Sequence, residues 1–205
     1  MKLYYSPGAC SLAPHIALRE AGINVTLEKV DLREKKTETG VDFAAVNPKG
    51  YVPVLQLEDG ALLTEGLVIQ QYIADRAPAS RLAPRPGSME RVRLEELLVF
   101  IATELHKSFN PLFIETTPEA TKAAFRAKIE RHFDVVEAML SDGRPYLSGE
   151  GFTVADIYLF VIASWSRHTS IDLSRWPKLV AFLERVAARE AVQAALVAEG
   201  LAKAA

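Results

Sequence analysis

Cys10 is the only cysteine in the chain, and it stands in Ser6-Pro7-Gly8-Ala9-Cys10-Ser11, a turn sequence between a strand candidate at 2–5 and a helix expected from Leu12. A thiol there would face the backbone N–H groups of the first helical turn and the positive end of the helix dipole, which favour thiolate over thiol. The chemistry on offer is nucleophilic attack or thiol exchange. Against it, a free cysteine is more often a small buried hydrophobe than a reactive group. A glycine-containing turn nevertheless packs a core poorly and meets anions well, so both readings stand.

Three other places carry polar chemistry. Thr64-Glu65-Gly66 precedes the helical stripe Val68, Ile69, Tyr72 and Ile73, with Thr64 the expected N-cap. Glu65 there either complements the dipole or holds the amino group of a ligand whose carboxylate meets the helix N–H groups. Val52-Pro53 enters a strand through proline; a trans bond is the commoner state, whereas a cis bond would turn the Val52 N–H and C=O outward to pair with an extended peptide. Val99, Thr103 and His106 form a line at i, i+4, i+7, about a third of a turn from the apolar stripe Leu94, Leu97, Leu98, Ile101 and Leu105. His106 is therefore either a solvated surface residue or the border of a cleft.

These residues need elements to hold them. Lys2–Tyr5, the helix from Leu12 to Gly22 and the β-branched run Val25–Val30 make a βαβ unit. Residues 31–47 are polar and read as irregular with one short helix. The run 50–57, the turn Glu58-Asp59-Gly60 and Ala61–Leu63 make an antiparallel hairpin, closed by the helix after Glu65. The proline-rich stretch 77–87 has no apolar period and marks a linker.

Downstream the pattern is wholly helical. A long helix at 88–110 ends near Pro111. A second follows Thr117-Pro118 with Phe125, Ile129, Phe133, Val136 and Leu140 inward. Thr153 and Asp156 are spaced as a capping box, Phe152 and Ile157 as a staple, before an almost all-apolar helix. Two more helices begin at Trp176-Pro177 and near Ala191. The expected division is a domain at 1–77, a linker at 78–87 and an all-helical domain at 88–205.

Composition narrows the classes. Among 205 residues, 24 basic side chains face 26 acidic ones, which leaves no broad footprint for nucleic acid or anionic lipid. One cysteine excludes an internal disulfide framework, and His15, His106, His132 and His168 are scattered, without metal-ligand spacing. There is no apolar leader and no run long enough to span a bilayer, so neither membrane nor metal is expected and the cytoplasm is the expected location.

Together, Tyr5 to Ser11, Val46-Asn47-Pro48-Lys49-Gly50, Val52-Pro53, Leu63-Thr64-Glu65-Gly66, Glu104-Leu105-His106-Lys107 and Phe152 to Asp156 resemble the glutathione transferases, most closely the bacterial beta class. The resemblance spans nearly the whole length in the family's order. It implies a thioredoxin-like α/β N-terminal domain that binds glutathione as co-substrate, then an all-α bundle that helps form the pocket for a hydrophobic electrophile, in a homodimer. Residue by residue it implies that Cys10 is the active-site cysteine, with Ala9 beside it, and that Val52 is the backbone pair next to a cis Pro53. Glu65 and Gly66 become the γ-glutamyl anchor and Lys35 a contact to the glycyl carboxylate. Thr103 and His106 become cleft-facing contacts, His106 with a catalytic share.

One departure is Val99, where the class often has an asparagine; valine offers no side-chain hydrogen bond. Ala13 stands at the resolving position of a Cys-x-x-Cys pair, so exchange would need a second glutathione. The activities implied are conjugation of glutathione to electrophiles, or thiol-disulfide exchange, peroxide reduction or reductive dehalogenation through Cys10. Two alternatives stay open: activation by the Tyr5 or Ser11 hydroxyl, and a non-catalytic module that binds glutathione or a hydrophobic ligand.

Overall fold

The computed structural model describes residues 1–203 and divides into two compact units. The first comprises Met1–Ala83 and the C-terminal stretch from Arg189 onward; the second is Pro84–Ala188.

The first unit is built on a five-stranded mixed sheet of β1 (Lys2–Tyr5), β2 (Thr26–Asp31), β3 (Lys36–Thr37), β4 (Val54–Gln56) and β5 (Leu62–Leu63), in the order β3-β2-β1-β4-β5. β1 runs parallel to β2, as a helical crossover requires, and antiparallel to β4 with Leu3 opposite Leu55. The β4–β5 hairpin forms as expected. β3, an antiparallel edge to β2, was hidden in the polar run 31–47 because a two-residue strand has no measurable period. The short helix expected there is α2 (Phe43–Val46), and Phe43 anchors it in a cluster with Tyr4, Val30, Val52 and Val54.

α1 (Leu12–Glu20) is buried at every position from Leu12 to Leu18, more than one amphipathic stripe explains. Two helices account for it. α3 (Gly66–Arg76) packs on one side, and α9 (Glu190–Ala198), the last helix, packs on another. The sequence pattern groups α9 with the helical segment 88–205, whereas its contacts lie with α1 in the first unit. An Arg189–Glu20 pair, at 2.6 and 2.7 Å, ties its start to the end of α1.

The second unit is all helical. α4 (Met89–Phe100) passes into a π-helical turn over Ile101–His106 and then α5 (Lys107–Phe113). Leu94, Leu98, Ile101 and Leu105 are buried as the stripe requires, with Leu97 half-buried. The helix does not stop at Pro111: the proline lies inside α5, which ends at Phe113. α6 (Glu119–Met139), α7 (Val154–Ser164) and α8 (Pro177–Ala187) complete the bundle. α7 is buried from Val154 to Ala163 and is the centre of its unit.

The start of α7 is held by Asp156, which accepts hydrogen bonds from Thr153 N–H at 2.7 Å, Thr153 Oγ1 at 2.8 Å and Leu147 N–H at 2.8 Å. The Phe152 ring meets Tyr146 at 5.2 Å between centroids. Among the described residues, no helix is long and apolar enough to cross a membrane, and no group of His, Cys, Asp and Glu is arranged to hold a metal ion.

Candidate active site

Cys10 stands at the end of the turn that leads from β1 into α1, half-buried. The turn is fixed from within. Ala9 N–H donates to the Ser6 carbonyl at 3.0 Å, and the fully buried Ser11 closes it from the other side. Ser11 Oγ accepts from Ser6 N–H at 3.1 Å and donates to the Ser6 carbonyl at 3.2 Å.

That arrangement occupies the Ser11 hydroxyl in holding the loop. Tyr5 is 8% exposed, and burial, followed by the carboxylates of Glu199 and Glu38, pushes its phenol up from the ordinary value. Both hydroxyls are thus buried, whereas the half-buried thiol is the group the turn presents.

The sulfur lies 3.4 Å from the Val52 carbonyl oxygen, to which the thiol donates. The Val52–Pro53 bond is cis, contrary to the commoner state. Pro53 in turn bears on the start of α3: a Cβ added to Gly66 would sit 3.6 Å from Pro53 Cγ. Cys10, Val52-Pro53 and Glu65-Gly66, three separate stretches of sequence, are thus linked contact by contact.

Glu65, not Thr64, is the residue before α3, and its side chain does not cap the helix. Its backbone is left-handed, with φ +67° and ψ 109°. A residue with a Cβ held there costs about 1–3 kcal/mol, which the surrounding contacts must offset. The carboxylate is held by two residues to which the sequence pattern assigns no role. Lys49 Nζ donates to Glu65 Oε1 at 2.6 Å and to Thr64 Oγ1 at 2.9 Å, and Tyr51 OH donates to the same Oε1 at 2.9 Å.

The Glu65 carboxylate raises both the Lys49 ammonium and the Tyr51 phenol above their ordinary values; Cys10 adds a smaller upward push on Tyr51. Asn47, 2% exposed, organises the loop that carries them: its Nδ2 donates to the Tyr51 carbonyl at 2.7 Å and its Oδ1 accepts from Lys49 N–H at 3.1 Å. No periodicity marks Lys49 or Tyr51. The only sequence signal was their place between Asn47 and Pro53.

Lys35 adopts a left-handed backbone, φ +53°, and its Nζ donates to the Gly50 carbonyl at 2.8 Å. Two ammonium groups and one carboxylate therefore surround the loop 47–53, with the N-terminal N–H groups of α3 beside them. The set is complementary in charge to a zwitterionic molecule carrying more carboxylate than ammonium.

Thr103 and His106 belong to the second unit. Thr103 is exposed, and its Oγ1 donates to the Val99 carbonyl at 3.0 Å; Val99 is 51% exposed and makes no side-chain hydrogen bond. His106 is not a solvated surface histidine. Its Nδ1 lies 2.7 Å from Tyr158 OH, and its ring meets Trp165 at 5.1 Å between centroids. The π-helical turn, with one extra residue per closed ring, alters the phase on which the expected line with Val99 relied. Burial, helped by Lys107, holds the imidazole down at about 4, so the ring is neutral near pH 7.

Comparison with known proteins follows the same outline. Residues 8–76 match the family profile described as glutathione S-transferase, N-terminal domain, and residues 100–190 match its C-terminal domain. The chain is 49% identical to glutathione S-transferase GstA of Escherichia coli O157:H7, over 98% of this chain and all of that protein. A ternary complex of BphK, a bacterial glutathione S-transferase, superposes with a TM-score of 0.96 at 57% identity, covering 98% of this chain and 100% of the other. A sphingomonad glutathione S-transferase complexed with glutathione gives 0.95 at 50% identity, and the bacterial beta class enzyme of Sphingomonas chungbukensis gives 0.95 at 49%, each over 98% of this chain and 100% of the other.

Proposed function

This chain belongs to the glutathione S-transferase family, in its bacterial beta class, and from that premise we propose that it works through Cys10, with glutathione stretched from the Cys10 turn to the start of α3. It is a glutathione transferase and uses glutathione as co-substrate. The roles of individual residues follow from matching the groups of the tripeptide to those of the first unit.

Glutathione has an ammonium and a carboxylate at its γ-glutamyl end, a peptide middle bearing the thiol, and a glycyl carboxylate. The ammonium goes to Glu65 and the neighbouring carboxylate to the first N–H groups of α3 at Gly66, where the dipole favours negative charge. Val52 pairs its backbone with the cysteinyl middle as an added strand would. Lys35 takes the glycyl carboxylate. Ala9 and Pro53 line the slot on either side of the sulfur. The observation that carries the reading is the 3.4 Å approach of Cys10 Sγ to the Val52 carbonyl, because it brings the protein's one thiol to where the tripeptide's sulfur must lie.

In conjugation the glutathione thiol gives up its proton and its sulfur forms a C–S bond to the electrophile, whose leaving group departs with the bonding pair. Positioning and a lowered thiol pKa supply the rate. In exchange, a Cys10 thiolate attacks the glutathionyl sulfur of a mixed disulfide between glutathione and a substrate thiol, and the substrate leaves as a thiolate. A second glutathione then attacks the glutathionyl sulfur on Cys10, forming oxidised glutathione and freeing Cys10. Ala13 provides no resolving thiol, which makes that second glutathione obligatory.

The helical unit supplies the electrophile pocket. Support comes from its aromatic cluster, in which Trp165 meets Phe109 at 5.7 Å and Phe113 at 5.4 Å, with Phe113 51% exposed. Such a surface suits an apolar co-substrate. Neutral His106 and Thr103 serve as polar contacts on the same unit. The functional division is a glutathione-binding domain at 1–77, with α9 packed on its α1, and a pocket-forming domain from 88 to the end of α8, in a cytoplasmic homodimer.

Intact mass after incubation with oxidised glutathione tests the role of Cys10. Wild type should gain one glutathionyl group, lost on adding reduced glutathione, while Cys10→Ala should gain none and show altered conjugating activity. A Cys10→Ala variant with unaltered activity would overturn the proposal.

A further inference from the structure

We infer that Glu199 is a positioning residue for the Cys10 turn, acting from the C-terminal end of the chain through Gly8 and His15. Glu199 follows α9 and is 6% exposed, its side chain fully buried. Oε2 accepts the backbone N–H of Gly8 at 2.9 Å, and Oε1 lies 2.9 Å from Nδ1 of the buried His15. On the far side of that ring, Arg19 Nε donates to His15 Nε2 at 3.0 Å. A guanidinium only donates, so Nε2 is the acceptor and the ring proton sits on Nδ1, aimed at Glu199. The carboxylate therefore receives one donor on each oxygen, one from the active turn and one from the middle of α1.

A buried carboxylate is costly unless its oxygens are satisfied, and removing either donor leaves it poorly matched. The cost is the reason the arrangement is informative: an apolar residue would pack α9 on α1 without it. What the carboxylate adds is a fixed place for Gly8, two residues before Cys10. Gly8 has φ +71°, and the end of α9 is shaped to meet it. Leu201 N–H bonds to the Leu196 carbonyl at 2.8 Å and Gly200 N–H to the Val197 carbonyl at 3.0 Å, with Gly200 left-handed, a Schellman ending. That ending carries Leu201 back to the turn, where a Cβ on Gly8 would lie 3.5 Å from Leu201 Cδ2.

The inference rests on Cys10 being the working sulfur, and its test keeps the two apart. The chain has one thiol, so alkylation by iodoacetamide reads the Cys10 environment with no substrate present. Glu199→Gln puts an amide NH2 against one of the two donors. It should slow alkylation at pH 7 threefold or more, because the sulfur leaves the first turn of α1 where the thiolate is favoured. It should also lower kcat about tenfold with KM for glutathione within twofold, since Glu65, Val52 and Lys35 are untouched.

Glu20→Gln is the control: it loosens α9 at its other end, through Arg189, and should leave alkylation unchanged. Leu201→Ala, at a 46% exposed position, is the milder second variant and should slow alkylation about twofold. An unchanged or faster alkylation in Glu199→Gln, or an equal slowing in Glu20→Gln, overturns the inference. A Cys10→Ala enzyme of full activity would overturn the catalytic reading while leaving the alkylation result to judge Glu199 alone.

Discussion

Glu65 and Lys49 form a 2.6 Å ion pair at the start of α3, and Tyr51 donates to the same carboxylate oxygen. The pair is half-exposed on both sides, so it contributes little to folding. On the proposed function its value lies in holding a carboxylate ready for the ammonium of glutathione. Glu65→Gln should raise KM for glutathione about tenfold, roughly the 1.5 kcal/mol of a hydrogen bond to a charged group, and change Tm little. Steady-state kinetics with a thermal melt measure both.

Strain and binding at Glu65 can be separated. Its φ of +67° is one that glycine adopts freely. Glu65→Gly should therefore leave Tm unchanged or raise it, with a gain of about 1 kcal/mol, while abolishing the glutathione affinity that the carboxylate supplies. Calorimetric titration with glutathione beside a melting curve distinguishes this from a purely structural glutamate, for which both would fall together.

The His106 imidazole, held down at about 4 by burial and then by Lys107, lies below its value in the unfolded chain. Its contribution to stability is complete above about pH 6.5 and is lost as pH falls through about 4. In an NMR titration its ring should stay neutral at pH 5.5, and His106→Asn should flatten the stability profile between those limits. A midpoint near 6.5 would contradict the packing of the ring between Tyr158 and Trp165.

Asp156 gathers two backbone N–H groups and one hydroxyl at the start of α7, and burial lifts its carboxyl to about 6 even so. Asp156→Ala orphans the buried Leu147 and Thr153 donors and should cost about 2–5 kcal/mol, measured by urea unfolding. Thr153→Ala should cost less, near the 1 kcal/mol typical of a lost cap.

Much of this was legible in the residues. The turn around Cys10, the β4–β5 hairpin and the capping box at Thr153 rest on local chemistry, which a sequence displays directly. What stayed hidden depends on contacts far apart in the chain. Nothing in the last short helix announces that Glu199 would reach Gly8, or that α9 would cover α1, because burial of a helix on two sides leaves only an unusually apolar run, as at 12–18. The π-helical turn at Ile101–His106 is hidden for a different reason: it alters the phase of the helix without altering composition, so the packing of His106 on Tyr158 and Trp165 does not follow from α-helical spacing. Lys49 and Tyr51 acquire their role only when the loop folds them onto Glu65.

A crystal structure with glutathione bound tests the central claim most directly. The account predicts the tripeptide's ammonium on Glu65, its middle paired with Val52, and its sulfur at or bonded to Cys10 Sγ. A tripeptide bound with its sulfur turned away from Cys10, or bound elsewhere than the loop 47–53, would contradict it.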